Sequence, residues 1–213
     1  MDETLYTIGH SNHPIERFIE LLRGHAITAV IDVRSHPYSR HNPQFNREPL
    51  QRRLTEDRIE YLFLGSALGA RSADAASSAS GSALFRSLPQ TSVFQDVIRR
   101  VRAEMKTHRA ALMCAEKDPL MCHRTMLICR SLRGERLPLR HILADGSVET
   151  QEELEERLLQ LTRIQQDDLF LDREQLLDRA YDLQSDRIAF GKAGPHKGAP
   201  RSSAARDEQK KSP

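Results

Sequence analysis

Residues 111–125 read Ala-Leu-Met-Cys-Ala-Glu-Lys-Asp-Pro-Leu-Met-Cys-His-Arg-Thr, and the reading of this stretch decides the fold. Its front half, Ala110 to Ala115, is a short apolar run suited to a buried strand. Its back half runs from Asp118 and Pro119 into Thr125, Met126, Leu127, Ile128 and Leu132, which recur at helical spacing. Asp118 suits an N-cap and Pro119 the first helical position. The expectation is strand, tight loop, helix. Cys114 and Glu116 then sit at the carboxyl end of the strand, and Cys122, His123 and Arg124 in the first turns of the helix. Open α/β sheets bind ligands at the carboxyl ends of their strands, and helix N-termini favour anions, so this loop is the candidate site.

Similar units flank it on both sides. Leu5 to Gly9 reads as a strand, followed by a helix with Ile15, Phe18, Ile19 and Leu22 on one face and Gly24 at its end. Ala26 to Val33 is nearly continuous apolar sequence, as in a strand covered on both faces, and delivers Asp32, Arg34 and Ser35 at its far end. A short helix from Glu48 to Asp57, a strand from Ile59 to Leu64, a helix carrying Val93 to Met105 and a strand from Leu139 to Leu143 continue the alternation. Thr150 with Glu153 forms a capping box for a helix whose stripe is Leu154, Leu158 and Leu161. A last helix from about Asp172 shows Leu176, Leu177, Ala180 and Leu183.

Strand and helix in alternation predict an α/β fold: a mostly parallel five-stranded sheet with helices on both faces, Rossmann-like and three-layered, plus C-terminal helices. Residues 1–190 form one domain with a flexible serine- and alanine-rich loop at about 70–87, and 191–213 form a disordered basic tail. At 213 residues, a second domain is not required. The net charge of +2 gives no global preference for nucleic acid, so any such preference is local. No apolar run reaches membrane-spanning length and Met1 to Gly9 has no basic leader, which predicts a cytoplasmic protein without a membrane partner. Three cysteines, an odd number, do not make a secreted disulfide framework, and reduced thiols are expected.

Several short motifs carry a family resemblance. These are Thr7-Ile8-Gly9-His10-Ser11, Asp32-Val33-Arg34 with Pro37 and Ser39, Leu64-Gly65 with Leu68-Gly69, and above all Cys114-Ala115-Glu116-Lys117-Asp118-Pro119 followed by Cys122-His123-Arg124. With them the chain resembles the bacterial and archaeal domain-of-unknown-function family 488 over roughly Leu5 to Leu161. The resemblance supports the choice of residues and implies no particular reaction. The sequence departs from the family pattern after Gly69, where Ala70 stands for a second glycine and serines and alanines follow. A more distant likeness is to rhodanese-like sulfurtransferases, which also place an Asp-x-Arg at one strand end and a cysteine at a later one. The loop here, from Cys114 to Arg124-Thr125, is longer than theirs.

The residues themselves leave three functions open. In the first, an enzyme binds a phosphorylated or other anionic substrate, a nucleotide or nucleic-acid end included. Arg34 and Arg124 hold the anion with Ser11, Asp32, Ser35, Tyr38, Arg40 and His123 around it. Glu116 and His10 move protons, and Cys114 or Cys122 is the nucleophile if the chemistry is covalent. In the second, the basic and aromatic loop from His36 to Arg47 binds nucleic acid without catalysis. The third is sulfur transfer or thiol redox chemistry, which requires one thiol to ionise readily. For Arg34 and Arg124 the structural alternative is a salt bridge with Asp32 or Glu116, and for Cys114 and Cys129 it is core packing. The seven residues between Cys114 and Cys122 match no zinc ribbon or finger, so no metal site is assigned, and no cofactor or oligomeric state follows from the sequence.

Overall fold

The computed structural model describes residues 4–68, 85–135, 137–164 and 171–192. Its strands are the short apolar runs of the sequence: β1 (Leu5–Gly9), β2 (Ala29–Asp32), β3 (Glu60–Phe63), β4 (Ala110–Cys114) and β5 (Leu139–Ile142). All five are parallel, in the order β3-β2-β4-β1-β5. A sixth strand, β6 (Val148–Thr150), pairs antiparallel to β5 through the Asp145-Gly146 turn, so the expected five strands become six. Three residues were too few to show a strand period in the sequence.

Alternation along the strands divides the core into two layers. Tyr6, Ile8, Val30, Ala111 and Met113 face α1 (Ile15–Gly24) and α2 (Arg47–Glu56), packing on Phe18, Ile19, Leu22, Leu50 and Leu54. Leu5, Ile31, Ala110, Leu112 and Cys114 face the other way, toward α3 (Ser92–Thr107), the segment after β4, and α5 (Gln151–Thr162) and α6 (Arg173–Lys192). The three-layer arrangement is thus the expected one. The neighbours β1 and β4 send the chain to opposite faces of the sheet, α1 to one and the segment with Met126 and Leu127 to the other. Such divergence opens a crevice at the carboxyl ends of the strands.

Local details differ from the sequence reading where tertiary contacts win. Left-handed backbone after α1 falls on Ala26 (φ 52°), two residues past Gly24. On α5 and α6, Leu161 and Leu183 point outward at 44% and 46% exposure. The inner faces keep the expected Leu154 and Leu158 and add Leu159, Tyr181 and Ile188. Phe85 and Leu88 are buried, and residues 85–87 are helical, so the loop read as flexible stops before Phe85; its residues 70–84 lie outside the described residues. The tail likewise lies outside them except that α6 runs on to Lys192. No helix among the described residues is long and apolar enough to cross a membrane.

The capping box at the start of α5 is present in full: Thr150 Oγ1 accepts from Glu153 N (3.2 Å) and the Glu153 carboxylate accepts from Thr150 N (2.8 Å). Thr150→Ala removes one half of it at the junction of β6 and α5. The expected loss is about 0.5–2 kcal/mol in urea unfolding, and a change within error would show that β6 alone anchors the helix.

Candidate functional site

The loop after β4 is built around a fully buried guanidinium. Arg124 has no exposed surface; its Nη1 donates to the Glu116 carbonyl (2.8 Å) and its Nε to Thr7 Oγ1 (3.3 Å), while Nη2 has no hydrogen-bond partner among the described residues. Thr7 passes the connection on. Its hydroxyl donates to Nδ1 of His141 (2.9 Å), and His141 Nε2–H donates to Gln151 Oε1 (3.1 Å). Gln151 Nε2 in turn reaches Glu155 (2.9 Å) and the Tyr181 hydroxyl (2.7 Å). Burial and the Arg124 charge depress the His141 pKa to about 3, so this ring is a neutral link. Gly9 is required where β1 passes beneath the loop, since a Cβ there would lie 1.9 Å from the Glu116 carbonyl oxygen.

The helix expected from Pro119 begins later. Pro119–Met121 is a single 3-10 turn, capped by the Asp118 carboxylate on Leu120 N (2.9 Å). Cys122 is then extended (φ −129°, ψ 140°), and its carbonyl accepts from Thr125 and Met126. Its sulfur accepts from Arg124 N (3.4 Å). Cys122 therefore caps the helix instead of lying in its first turn. Residues Arg124–Cys129 are π-helical and fully buried, continuing as α4 (Arg130–Leu132). From the C-terminal helices, Arg157 grips Asp118 (3.0 and 3.1 Å) and Gln184 Nε2 donates to Leu120 O (2.9 Å).

This framework brings both thiols to one oxygen. Cys114 Sγ lies 3.0 Å and Cys122 Sγ 3.1 Å from Oε2 of Glu116. The bond with Cys122, burial and the Glu116 charge push the Cys114 thiol well above its ordinary pKa. Cys129, fully buried, is pushed to about 12 by burial.

On the other side of β4, Arg34 is locked to Asp32. Nε and Nη2 donate to the carboxylate at 2.9 and 2.6 Å, the Arg34 amide at 3.0 Å, and the Tyr61 hydroxyl at 2.7 Å. The salt bridge with Asp32 is thus what the structure contains for Arg34. Arg34 Nη1 also donates to Nε2 of His10 (3.2 Å), whose Nδ1–H donates to the Ser11 carbonyl (2.8 Å). The ring stacks on Phe45 at 4.4 Å. Burial first, then the Arg34 charge, lowers the His10 pKa to about 4. Its lone pair is already occupied, so it positions Arg34.

The two networks meet at a cavity of about 260 Å³, whose polar wall includes Arg34, Cys114, Glu116 and His123, with Ser35 and His36 at exposed positions on its rim. Val33, Phe85, Leu88 and Leu127 form an apolar wall, and Phe85 stacks on His123 at 5.3 Å. Of the sequence-derived residues, Tyr38 and Arg40 lie elsewhere on the surface, Tyr38 bonded to Glu48 (2.7 Å). Phe45 of the same loop is core, and so is not available for stacking on a base. Ser11 contacts Asn12 and does not line the cavity. Sequence reasoning missed Tyr61, His141, Phe85 and Arg157 as supports. Of these, only Phe85, an aromatic beside a serine-rich run, gave a local signal.

These features define the class: a three-layer α/β protein with a buried thiol–carboxylate cluster at the carboxyl edge of its sheet. The chain belongs to the family described as Domain of unknown function DUF488, which matches residues 14–130, more than half of its length. No curated protein and no solved structure matches it.

Two outcomes follow from this geometry. Arg34→Ala leaves the Asp32 carboxylate, which has no exposed surface, without its counter-ion, and about 3–5 kcal/mol of stability should be lost. A loss below about 1 kcal/mol in urea unfolding would mean that the pair is dispensable. The histidines set a pH dependence. Unfolded His10 and His141 take up protons near 6.5, but the folded rings do so only at about 4 and about 3. The unfolded state binds the extra protons between these values, so stability falls as pH drops from about 6.5. Each ring contributes a slope of up to about 1.4 kcal/mol per pH unit, ending for each at its folded pKa. Urea titrations of wild type and His10→Asn across this range should differ in slope.

Proposed function

We propose that the protein is an enzyme acting on a small phosphorylated or carboxylated molecule bound in this cavity. The observation that carries the reading is the convergence of Arg34, Cys114 and Glu116 on one small chamber at the carboxyl edge of β1, β2 and β4. Arg34 commits three of its five N–H donors to Asp32 and His10, and among the described residues no side-chain bond uses the other two, which would serve an anion. Arg124 also lies in the cavity wall, but its side chain is buried and bonded to Thr7 and the Glu116 carbonyl, so its part is to hold the Glu116 loop in place. Glu116 is the group that moves a proton, and the apolar wall receives the uncharged part of the substrate. A nucleic-acid strand fits less well, because the loop from His36 to Arg47 buries Phe45 in the core and ties the Tyr38 hydroxyl to Glu48.

A ligand at one hundred times its Kd should stabilise the fold by about 2.7 kcal/mol. Thermal shifts of the full chain against phosphorylated and carboxylated metabolites at fixed ionic strength should therefore yield small anions that raise Tm. Leu88→Trp, which fills the apolar wall, should abolish the shift. If no small anion acts on the folded protein while oligonucleotides bind with steep salt dependence, the binding-module reading replaces this one.

Thiol chemistry is the second reading, favoured by the contact of Cys114 with a carboxylate able to take its proton. Against it, the neighbour of Cys114 is an acceptor, whereas a thiolate or persulfide anion needs donors. In the metal-free protein, iodoacetamide should label Cys114 negligibly near neutral pH, since only the thiolate reacts. An alkylation inflection below about pH 7.5 that disappears in Cys114→Ser would make the thiol the nucleophile.

A further inference from the structure

We infer that Cys114, Glu116 and Cys122 form a binding site for one thiophilic divalent cation of the zinc class, with a fourth coordination position open to the cavity. Metal binding here is independent of the substrate class; with the ion bound, Glu116 serves as a ligand in place of the proton transfer assigned to it above. The cluster is assembled from a strand end, a loop and a helix cap, and its three donor atoms lie within 4.8 Å of one another. Sulfur-to-oxygen distances of 3.0 and 3.1 Å are close to what a tetrahedral ion imposes. Zn–S and Zn–O bonds of about 2.3 and 2.0–2.2 Å put such ligands roughly 3.5–3.8 Å apart. An ion enters by pushing the three donors outward by about half an ångström.

Charge and hydrogen bonding agree with this. Two thiolates and a carboxylate carry three negative charges; a divalent ion and the buried guanidinium of Arg124 supply three positive ones. That balance accounts for a buried guanidinium whose described side-chain bonds are all to neutral oxygens. The Arg124 amide already points at the Cys122 sulfur (3.4 Å), the outer-sphere contact that stabilises a thiolate ligand. Arg124 Nη1 fixes the Glu116 backbone in the same way. Sulfur donors select zinc-like ions over magnesium or calcium. Three protein ligands with Cys114 and Glu116 on a cavity wall leave the fourth position to water or substrate, as in catalytic zinc sites. On binding, each thiol gives its proton to solvent and its sulfur lone pair to the ion, so two protons appear per metal.

The test uses the full chain, stripped with a chelator under reducing conditions and titrated with Co²⁺. Expected are sulfur-to-cobalt charge-transfer absorption and tetrahedral ligand-field bands that saturate at one equivalent. Zn²⁺ should displace them, with two protons released per zinc added to the stripped protein in weak buffer. Cys114→Ser and Cys122→Ser should each lose the charge-transfer band or at least halve it and weaken binding more than tenfold. Cys129→Ala, outside the cluster, should keep it. Glu116→Gln retains both thiols and should weaken binding at least tenfold with the band still present, which keeps the test readable if a serine variant does not fold. Folded wild-type protein without the band in excess Co²⁺, or a full band in Cys122→Ser, would overturn the site.

Discussion

A single buried guanidinium holds the carboxyl edge of the sheet together. Arg124 comes from the segment after β4, yet its side chain reaches across to β1 at Thr7 and back to the Glu116 carbonyl. A charge with no exposed surface is costly to strip of partners, and the Glu116 carbonyl is one of the two that the Arg124 side chain has among the described residues, so the loop bearing Glu116 has little freedom to move while Arg124 stays in place. The same requirement explains Gly9. Only a residue without a Cβ lets β1 run within reach of the loop backbone, and the order β4-β1-β5 makes β1 the strand through which Arg124 is coupled to His141 and the C-terminal helices.

The Asp32–Arg34 pair performs a parallel task on the other side of β4. The Asp32 carboxylate is filled by its own strand end and by Tyr61 from β3. Arg34 uses its third contact on His10 at the end of β1. Two polar networks, one on each flank of β4, thus hold a cavity whose other wall is apolar. The thiol–carboxylate cluster sits at the end of β4, between them. Low exposure gives hydrogen bonds there more weight than at the surface, and makes the whole edge sensitive to the loss of any one partner.

The helices after β5 act on the site although they follow the segment matched by the family. Arg157 bridges Asp118 and Glu149, and Gln184 holds the 3-10 turn through Leu120. They press the loop against the sheet from the face opposite α1 and α2. Their inner faces are therefore partly polar, with Gln151, Glu155, Gln184 and Ser185 buried among leucines. A hydropathy stripe drawn through Leu161 or Leu183 misjudges which way they face for that reason.

Local sequence by itself determined the alternation of strands and helices, the parallel sheet, the edge on which the polar residues past β1, β2 and β4 collect and the capping box at Thr150. Each rests on short-range periodicity or on a cap within a few residues, and both are written into neighbouring side chains. The position of Arg34, Cys114 and Glu116 at or just past strand ends was legible too, because strand ends are legible. What those residues do to one another was decided only by tertiary structure. Whether an arginine meets a ligand or a protein group depends on how deeply it is buried, and Arg124, placed in the sequence reading to hold an anion, is buried in the cavity wall with its described bonds made to Thr7 and the Glu116 carbonyl. The meeting of two thiols on one oxygen depends on Cys122 leaving the helix to become its cap, a consequence of the 3-10 turn at Pro119 and of packing from α5 and α6. Neither property is carried by sequence spacing, since both depend on contacts between segments far apart in the chain.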